Sequence, residues 1–79
     1  MRLDRLLDLR KEKNLYKKQV ASKINISSRR YSHYENGTRN IPTDILKDLA
    51  LLYDTSTDYL LGLTDLRKPY PRSKKNNHQ

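Results

Sequence analysis

Residues 17–37 read KKQVASKINISSRRYSHYENG, and their spacing decides the fold of the chain. Val20 and Ile24 lie one helical turn apart, which is typical of the buried face of a helix. Asn25 follows where the chain must reverse, and a left-handed backbone there favours Gly or Asn. Ser27 then provides a good N-terminal cap for a second helix. The stretch therefore predicts two helices joined by a short turn.

The side chains of this helix pair divide into two faces. Ala21 is small where the two backbones must approach closely, since a larger side chain would push the helices apart. The face predicted to pack on the rest of the chain carries Val20, Ile24, Ile26, Tyr31 and Tyr34. The opposite, exposed face carries Lys17, Lys18, Ser28, Arg29, Ser32 and His33.

The flanking segments predict three more helices. A first helix over about residues 2–13 has Leu3, Leu6, Leu7 and Arg10 at helical spacing, with Leu9 on a second contact face. We expect Thr43 to cap a fourth helix, and Ser56 or Thr57 to cap a last one that Gly62 stops. No segment alternates apolar and polar residues as a strand does. The prediction is an all-α, compact five-helix domain.

Charge is distributed unevenly along the chain, whose net charge is +8. Residues 10–39 hold nine basic and two acidic residues, a net of +7. Residues 40–66 hold one basic and five acidic residues, a net of −4. A basic middle beside an acidic segment indicates a molecule with one anion-binding face, although a merely basic surface would give the same charges.

The chain divides at about residue 66. Residues 67–79 carry five positive charges, two prolines and almost no aliphatic side chain. Such a segment buries too little apolar surface to offset its ordering entropy, so we expect a disordered basic tail. Residues 1–66 are then the single folded domain. The tail has three possible roles: an expression remnant, an arm that attracts phosphate, or none.

The sequence lacks the residues that several classes of function require. There is no cysteine and there are two histidines, too few for thiol chemistry or a His-based metal cluster, so no metal or cofactor is expected. No Ser/His/Asp set or Gly-rich phosphate loop is evident, and an enzyme has little support. No apolar run approaches the roughly 18 residues of a membrane span. Charged residues at the N-terminus come before any long apolar stretch, which is unlike a signal peptide. The expected location is therefore the cytoplasm.

The whole of residues 3–65 resembles the lambda-repressor-like helix-turn-helix family, the phage repressor and Cro type. The resemblance rests on Leu6, Leu9 and Arg10; Val20-Ala21 and Ile24-Asn25-Ile26-Ser27; Ser32-His33-Tyr34-Glu35-Asn36-Gly37; Ile41-Pro42-Thr43; and Leu49-Ala50, Tyr53-Asp54 and Asp58-Tyr59-Leu60-Leu61-Gly62. Three departures stand out. Tyr16 and Lys17 replace the family's Ser or Thr and Gln, Asn25 replaces its turn Gly, and Tyr31 replaces a buried aliphatic residue.

The resemblance implies roles for particular residues. The residues implied to contact bases in the major groove are Ser28, Arg29, Ser32 and His33. Arg29 is the foremost of them, because its planar guanidinium matches both acceptors of guanine. The candidate phosphate contacts are Lys17, Lys18, Arg30, Asn36, Thr38, Arg39 and Asn40. Arg10 and Glu35 are implied to form an ion pair inside the fold. A two-fold dimer contact is implied at Tyr53, Tyr59, Leu60 and Leu63, where ordinary core packing is the alternative.

The function expected from the resemblance is repression of transcription through a double-stranded DNA operator. A homodimer on a near-palindromic site would be the usual arrangement, with no membrane involved. An antitoxin or anti-repressor is the alternative, whose main task would be to bind a partner protein. A tail that becomes ordered on such a partner would separate the two.

Overall fold

The computed structural model describes residues 3–69, and every regular element in that range is a helix. The helices are α1 (Asp4–Glu12), α2 (Lys17–Lys23), α3 (Ser28–Asn36), α4 (Thr43–Leu52) and α5 (Thr57–Leu60). This confirms the all-α, five-helix prediction. Residues 1–2 and 70–79 lie outside the described residues, and with them lies most of the tail that was predicted to be disordered.

Serine side chains begin two of the helices where the sequence indicated. The hydroxyl oxygen of Ser27 accepts a hydrogen bond from the backbone N–H of Arg30 at 3.1 Å, at the start of α3. Ser56 does the same for the N–H of Tyr59 at 3.0 Å, which settles the start of α5 in favour of Ser56. Each bond satisfies one N–H group that the first helical turn leaves free.

The start of α4 differs from the prediction. Thr43 is the first residue of the helix, and Pro42 occupies the capping position without a side-chain hydrogen bond. Proline suits the place because its ring fixes φ near the observed −65° and because it has no N–H that would need a partner. The acidic Asp44 in the first turn complements the positive end of the helix.

Each of the five helices is followed, one or two positions after its last residue, by a residue with a left-handed backbone. These residues are Asn14, Asn25, Gly37, Asp54 and Gly62, with φ between 53° and 78°. In each case the N–H of the following residue bonds to a carbonyl five positions earlier, as Thr55 N–H does to Ala50 at 2.9 Å. The arrangement satisfies carbonyls that the last turn leaves free, and Asn, Asp and Gly enter it most easily. The sequence indicated three of these ends; the ends at Asn14 and Asp54 were missed.

The core forms where α1 packs against α3 and α5. Leu3, Leu6 and Leu9 of the first helical segment are buried, whereas Leu7 is only half-buried. The predicted inward stripe through Leu7 is therefore wrong in part. Because α1 meets two neighbours, the face through Leu6 and Leu9 becomes the more deeply covered one. The remaining core residues are Val20, Ala21, Ile24, Tyr31, Tyr34, Ile45, Leu46, Leu49, Ala50, Tyr53 and Leu60.

A polar network crosses this core from α1 to the end of α4. Arg10 donates from Nε and Nη2 to the two carboxylate oxygens of Glu35, at 2.9 and 3.0 Å. A third Arg10 bond, from Nη1, reaches the carbonyl of Leu15 at 3.0 Å. The hydroxyls of Tyr31 and Tyr53 bond to each other at 3.2 Å in the interior. The network thus joins α1, α3 and the residue that follows α4.

Glu35 is charged although it is only 4% exposed. Burial by itself would raise its pKa, but hydrogen bonds from Arg10 and Tyr31 and the charge of Arg10 outweigh burial and lower it. The pKa values of two buried tyrosines shift in the opposite direction. Burial raises the pKa of Tyr31 and of Tyr53, so both hydroxyls stay protonated and can donate. The network therefore contains one full negative charge, matched by one guanidinium.

Two arginine contacts fix the chain beyond α5. Arg5 donates to the carbonyls of Tyr59, at 2.9 Å, and of Thr64, and its guanidinium lies 4.1 Å from the centre of the Tyr59 ring. Arg67 forms a two-pronged pair with Glu12, and its carbonyl accepts a 2.6 Å bond from the buried Thr55 hydroxyl. Fixed contacts therefore reach Arg67, the first residue of the segment predicted to be a tail.

Within residues 3–69, no helix combines the length and apolar character needed to cross a bilayer.

Replacing Glu35 by Ala should lower the free energy of unfolding by about 3–5 kcal/mol, because Arg10 would remain buried without its partner. Chemical denaturation of the purified chain measures this. Glu12→Ala is the matched control, since it also removes a carboxylate from an arginine pair, but at the surface. Equal effects of the two substitutions would show that the Arg10 pair is not a special element of the core.

Acid should weaken the same pair. Because the folded pKa of Glu35 lies below its ordinary value of 4.5, its contribution is complete above that pH and is lost as the pH falls through the folded pKa. The difference in unfolding midpoint between the wild type and Glu35→Gln should therefore be constant near neutrality and shrink in acid. A difference that grew on acidification would contradict the direction given for Glu35.

Candidate nucleic-acid interface

The turn between α2 and α3 sets the geometry of the site. Asn25 has a φ of 62°, which confirms the left-handed turn predicted for it. The N–H of Ile26 then bonds back to the carbonyl of Ala21 at 2.9 Å. Ala21 is buried, in agreement with the close approach of the two helices that its small side chain indicated. These contacts hold α2 and α3 together and leave their outer faces exposed side by side.

The start of α2 is capped in an unexpected way. The backbone N–H of Tyr16 donates to the side-chain carbonyl of Gln19 at 2.7 Å. The N–H of Gln19 in turn bonds to the backbone carbonyl of Tyr16 at 3.0 Å, so the turn closes without the Tyr16 side chain, whose ring is exposed. Sequence reasoning noted Tyr16 only as a departure from the family pattern, although the Gln three residues later is a recognised signal of such a cap.

An open cleft of about 600 Å³ lies between the beginnings of α2 and α3. It is lined by Tyr16, Lys17, Lys18, Ser28, Arg29 and Ser32. The structure thus brings together three of the four predicted base-reading residues and two of the predicted phosphate contacts. The lining residues carry three positive charges and no acid, and the positive end of the α3 dipole adds to them. The cleft is suited to an anionic ligand.

Arg29 and Arg30 are adjacent in sequence but differ in their surroundings. Among residues 3–69, the Arg29 side chain has no hydrogen bond or ion pair, and it is exposed. Arg30 donates from Nε to the Tyr34 hydroxyl at 2.7 Å and lies 5.8 Å from the centre of that ring. Arg29 can therefore offer its whole guanidinium fork to a ligand, whereas Arg30 has one donor already engaged.

Ser32 is held by two neighbours. Lys17, predicted to meet a phosphate, donates from Nζ to the Ser32 hydroxyl oxygen at 3.1 Å. Asn36, also predicted as a phosphate contact, donates from its side-chain amide to the same oxygen at 3.4 Å. Both residues thus support a predicted base reader directly. Sequence reasoning missed this connection, because Lys17 and Ser32 lie on different helices.

His33 is fixed by Thr38, another of the predicted phosphate contacts. The ring Nδ1 lies 2.7 Å from the Thr38 hydroxyl oxygen, which also lies 3.3 Å from the carbonyl oxygen of His33. Since Nδ1 is engaged, Nε2 is the ring nitrogen that His33 can present to a ligand. The Thr38 hydroxyl is therefore already bonded to His33, near the end of α3.

The two remaining phosphate candidates lie apart from the cleft. Arg39 and Asn40 are exposed in the segment between α3 and α4. They line a second cavity of about 210 Å³ together with Leu3, Ile41 and Leu61. The structure therefore does not group them with Lys17 and Lys18.

Two of the four residues expected at a dimer contact belong to the core instead. Tyr53 is 2% exposed and Leu60 is 1% exposed, because they face Tyr31 and α1 within the domain. Tyr59 is half-buried, with Arg5 over its ring. Leu63 is 73% exposed. Leu66, which sequence reasoning did not single out, is equally exposed near it in the chain.

Comparison with known proteins places these features in a family. Residues 4–66 match the family model described as a helix-turn-helix domain. The chain is similar to three proteins of Bacillus subtilis (strain 168) that are named HTH-type transcriptional regulators. It is 44% identical to YobD over 77 residues, 41% identical to ImmR over 64, and 38% identical to AnsR over 73.

The alignments cover most of this chain but less of its relatives. They take in 98%, 81% and 92% of the chain against YobD, ImmR and AnsR, respectively. The corresponding shares of the relatives are 67%, 50% and 63%. The chain therefore spans between half and two thirds of the length of these proteins, and the matched part includes both helices that form the cleft.

Proposed function

The chain belongs to the lambda-repressor-like helix-turn-helix family, and on that premise we propose that it is a sequence-specific regulator of transcription. In this proposal α3 enters the major groove of double-stranded DNA, and the protein represses by occupying an operator. The names of the relatives, HTH-type transcriptional regulators, support the general function. The repressor role and the groove geometry are the parts that experiment must test.

The observation that carries the proposal is the state of Arg29. This guanidinium has no partner among residues 3–69, stands at the second position of α3 and lines the cationic cleft. An arginine at such a place can donate two parallel bonds to O6 and N7 of guanine. Lys18 beside it is exposed and can meet the phosphate backbone, which fixes the register of α3 without reading sequence.

The proposal also includes a two-fold dimer on DNA. Leu63 and Leu66 are exposed leucines three residues apart in the chain, and in the proposed dimer a second copy covers them together with the half-buried Tyr59. A dimer would place two α3 helices on the same side of the duplex, so that a near-palindromic operator matches the protein symmetry. The half-site centres would then lie about 34–36 Å apart, one turn of DNA.

Replacing Arg29 by Ala should relax the preference at one base pair per half-site, because a bidentate contact discriminates by about 1–3 kcal/mol. Affinity for scrambled DNA should fall only slightly. Titrations of operator and scrambled DNA at several salt concentrations measure both effects, with the operator first selected from random sequences.

Truncation after Arg67 is the matched control, since it removes four positive charges but leaves the Glu12 pair intact. It should weaken binding to all sequences and flatten the salt dependence, because fewer counterions are released. Base preference should not change. If Arg29→Ala weakened both DNAs equally, Arg29 would be a phosphate contact. If the wild type preferred no DNA, a protein partner would become the better proposal.

Replacing Leu63 by Glu should abolish cooperative binding of two chains, so that at substoichiometric protein each occupied operator holds one chain instead of two, because a charge would be buried at the two-fold contact. Analytical ultracentrifugation of the complex on operator DNA gives the stoichiometry. Leu51→Glu is the control, since Leu51 is an exposed leucine (52%) on α4. Two chains per operator in both variants would place the dimer contact elsewhere.

A further inference from the structure

The Ser32 hydroxyl receives two hydrogen bonds inside the protein. One comes from Lys17 Nζ at 3.1 Å and the other from Asn36 Nδ2 at 3.4 Å. Both groups can only donate, since an ammonium has no lone pair and an amide nitrogen carries two hydrogens. The direction of both bonds is therefore fixed by chemistry: the oxygen of Ser32 is the acceptor in each.

These bonds occupy the acceptor lone pairs of the Ser32 hydroxyl and leave its O–H free to donate. A hydroxyl has two acceptor lone pairs and one O–H donor. The two lone pairs are directed at Lys17 and Asn36, and no group within residues 3–69 takes the hydrogen. Ser32 is half-exposed and lines the cationic cleft. A ligand in that cleft therefore meets Ser32 as a hydrogen-bond donor.

The interior of the fold also acts on Lys17, through charge. Glu35 lies three residues after Ser32 on α3 and is buried and charged. Burial tends to raise the pKa of Glu35, and the positive charge of Lys17 is among the influences that lower it. The carboxylate and the ammonium thus attract each other.

Building on the proposed function, we infer that Ser32 reads DNA as a fixed hydrogen-bond donor, set in that state by Lys17 and Asn36. In the major groove, guanine offers N7 and O6 as acceptors, adenine offers N7, and thymine offers O4. Cytosine offers only its N4 amino donor. Ser32 therefore selects against cytosine at the base it faces, whereas an unconstrained serine could accept from that amino group and would discriminate little.

The test measures relative affinity for the operator and for every single-base substitution of it, at one salt concentration. For the wild type we expect one position in each half-site where cytosine weakens binding by about tenfold or more, the ordinary cost of a wrong base. Ser32→Ala should abolish that penalty at that position alone. If Ser32→Ala leaves every position unchanged, Ser32 does not read a base and the inference is overturned.

Lys17→Met separates the fixed donor from an ordinary serine contact. It removes the ammonium and frees a lone pair on Ser32, so the cytosine penalty should fall to less than about threefold. Lys18→Met is the matched control. It removes the same charge from the neighbouring residue, and it should weaken all sequences while the penalty persists. A penalty that survives Lys17→Met, or that falls equally in Lys18→Met, would overturn the inference.

Lys17→Arg keeps a donor near Ser32 and should preserve the cytosine penalty, so the prediction does not depend on the folding of one variant. Thermal unfolding of each variant checks that the domain is intact. Failure of this inference differs from failure of the proposed function. A wild type with no base preference refutes the function, whereas a preference that does not respond to Lys17 refutes only the donor assignment.

Discussion

Glu35 holds a negative charge in the interior of the domain, and the Arg10 guanidinium makes this possible. The pair uses both carboxylate oxygens, at 2.9 and 3.0 Å, while the third donor of Arg10 holds the Leu15 carbonyl between α1 and α2. One side chain of α1 therefore fixes the end of α3 and the connection that leads to α2. A buried pair of this kind adds little net stability compared with apolar packing, but neither partner can be removed alone without a large cost. Its value lies in restricting how the two helices of the candidate interface sit on the core.

The same constraint reaches the outer face of α3 through Lys17. Glu35 faces the core and Ser32 faces the cleft, yet Lys17 interacts with both, by charge with the first and by a 3.1 Å hydrogen bond with the second. The family's usual Gln at the Lys17 position is absent here, and the structure gives the lysine a supporting role towards Ser32. Interior and interface are therefore not independent in this small domain. Arg29 differs from Ser32 because it has no supporting bond within residues 3–69, so its geometry is left for a ligand to fix.

Helix ends show how local chemistry and tertiary packing share control of this fold. Asn25, Gly37 and Gly62 could be predicted as helix ends because each closes a predicted helix and because these residue types enter the left-handed conformation easily. Asn14 and Asp54 adopt the same conformation, but Asn14 lies in a polar stretch and aspartate is a weaker signal of that conformation than glycine. Each is followed by a residue that packs inward, Leu15 against the core and Thr55 fully buried, so the chain must turn at that point. Local propensity made the ends possible, and packing chose their positions.

The sequence by itself determined the number and order of the helices, the α2–α3 turn, and the cationic character of one face. These properties depend on apolar spacing, capping residues and formal charge, all of which can be read along a chain. Only the tertiary structure decided which side of α1 is most deeply buried, that Tyr53 and Leu60 belong to the core, and that Arg67 is tied to Glu12. It also decided that Lys17 supports Ser32, since that contact joins residues 15 apart on two crossing helices. A one-dimensional pattern records which groups can donate or accept; their partners are set by distances that exist only after the helices have packed.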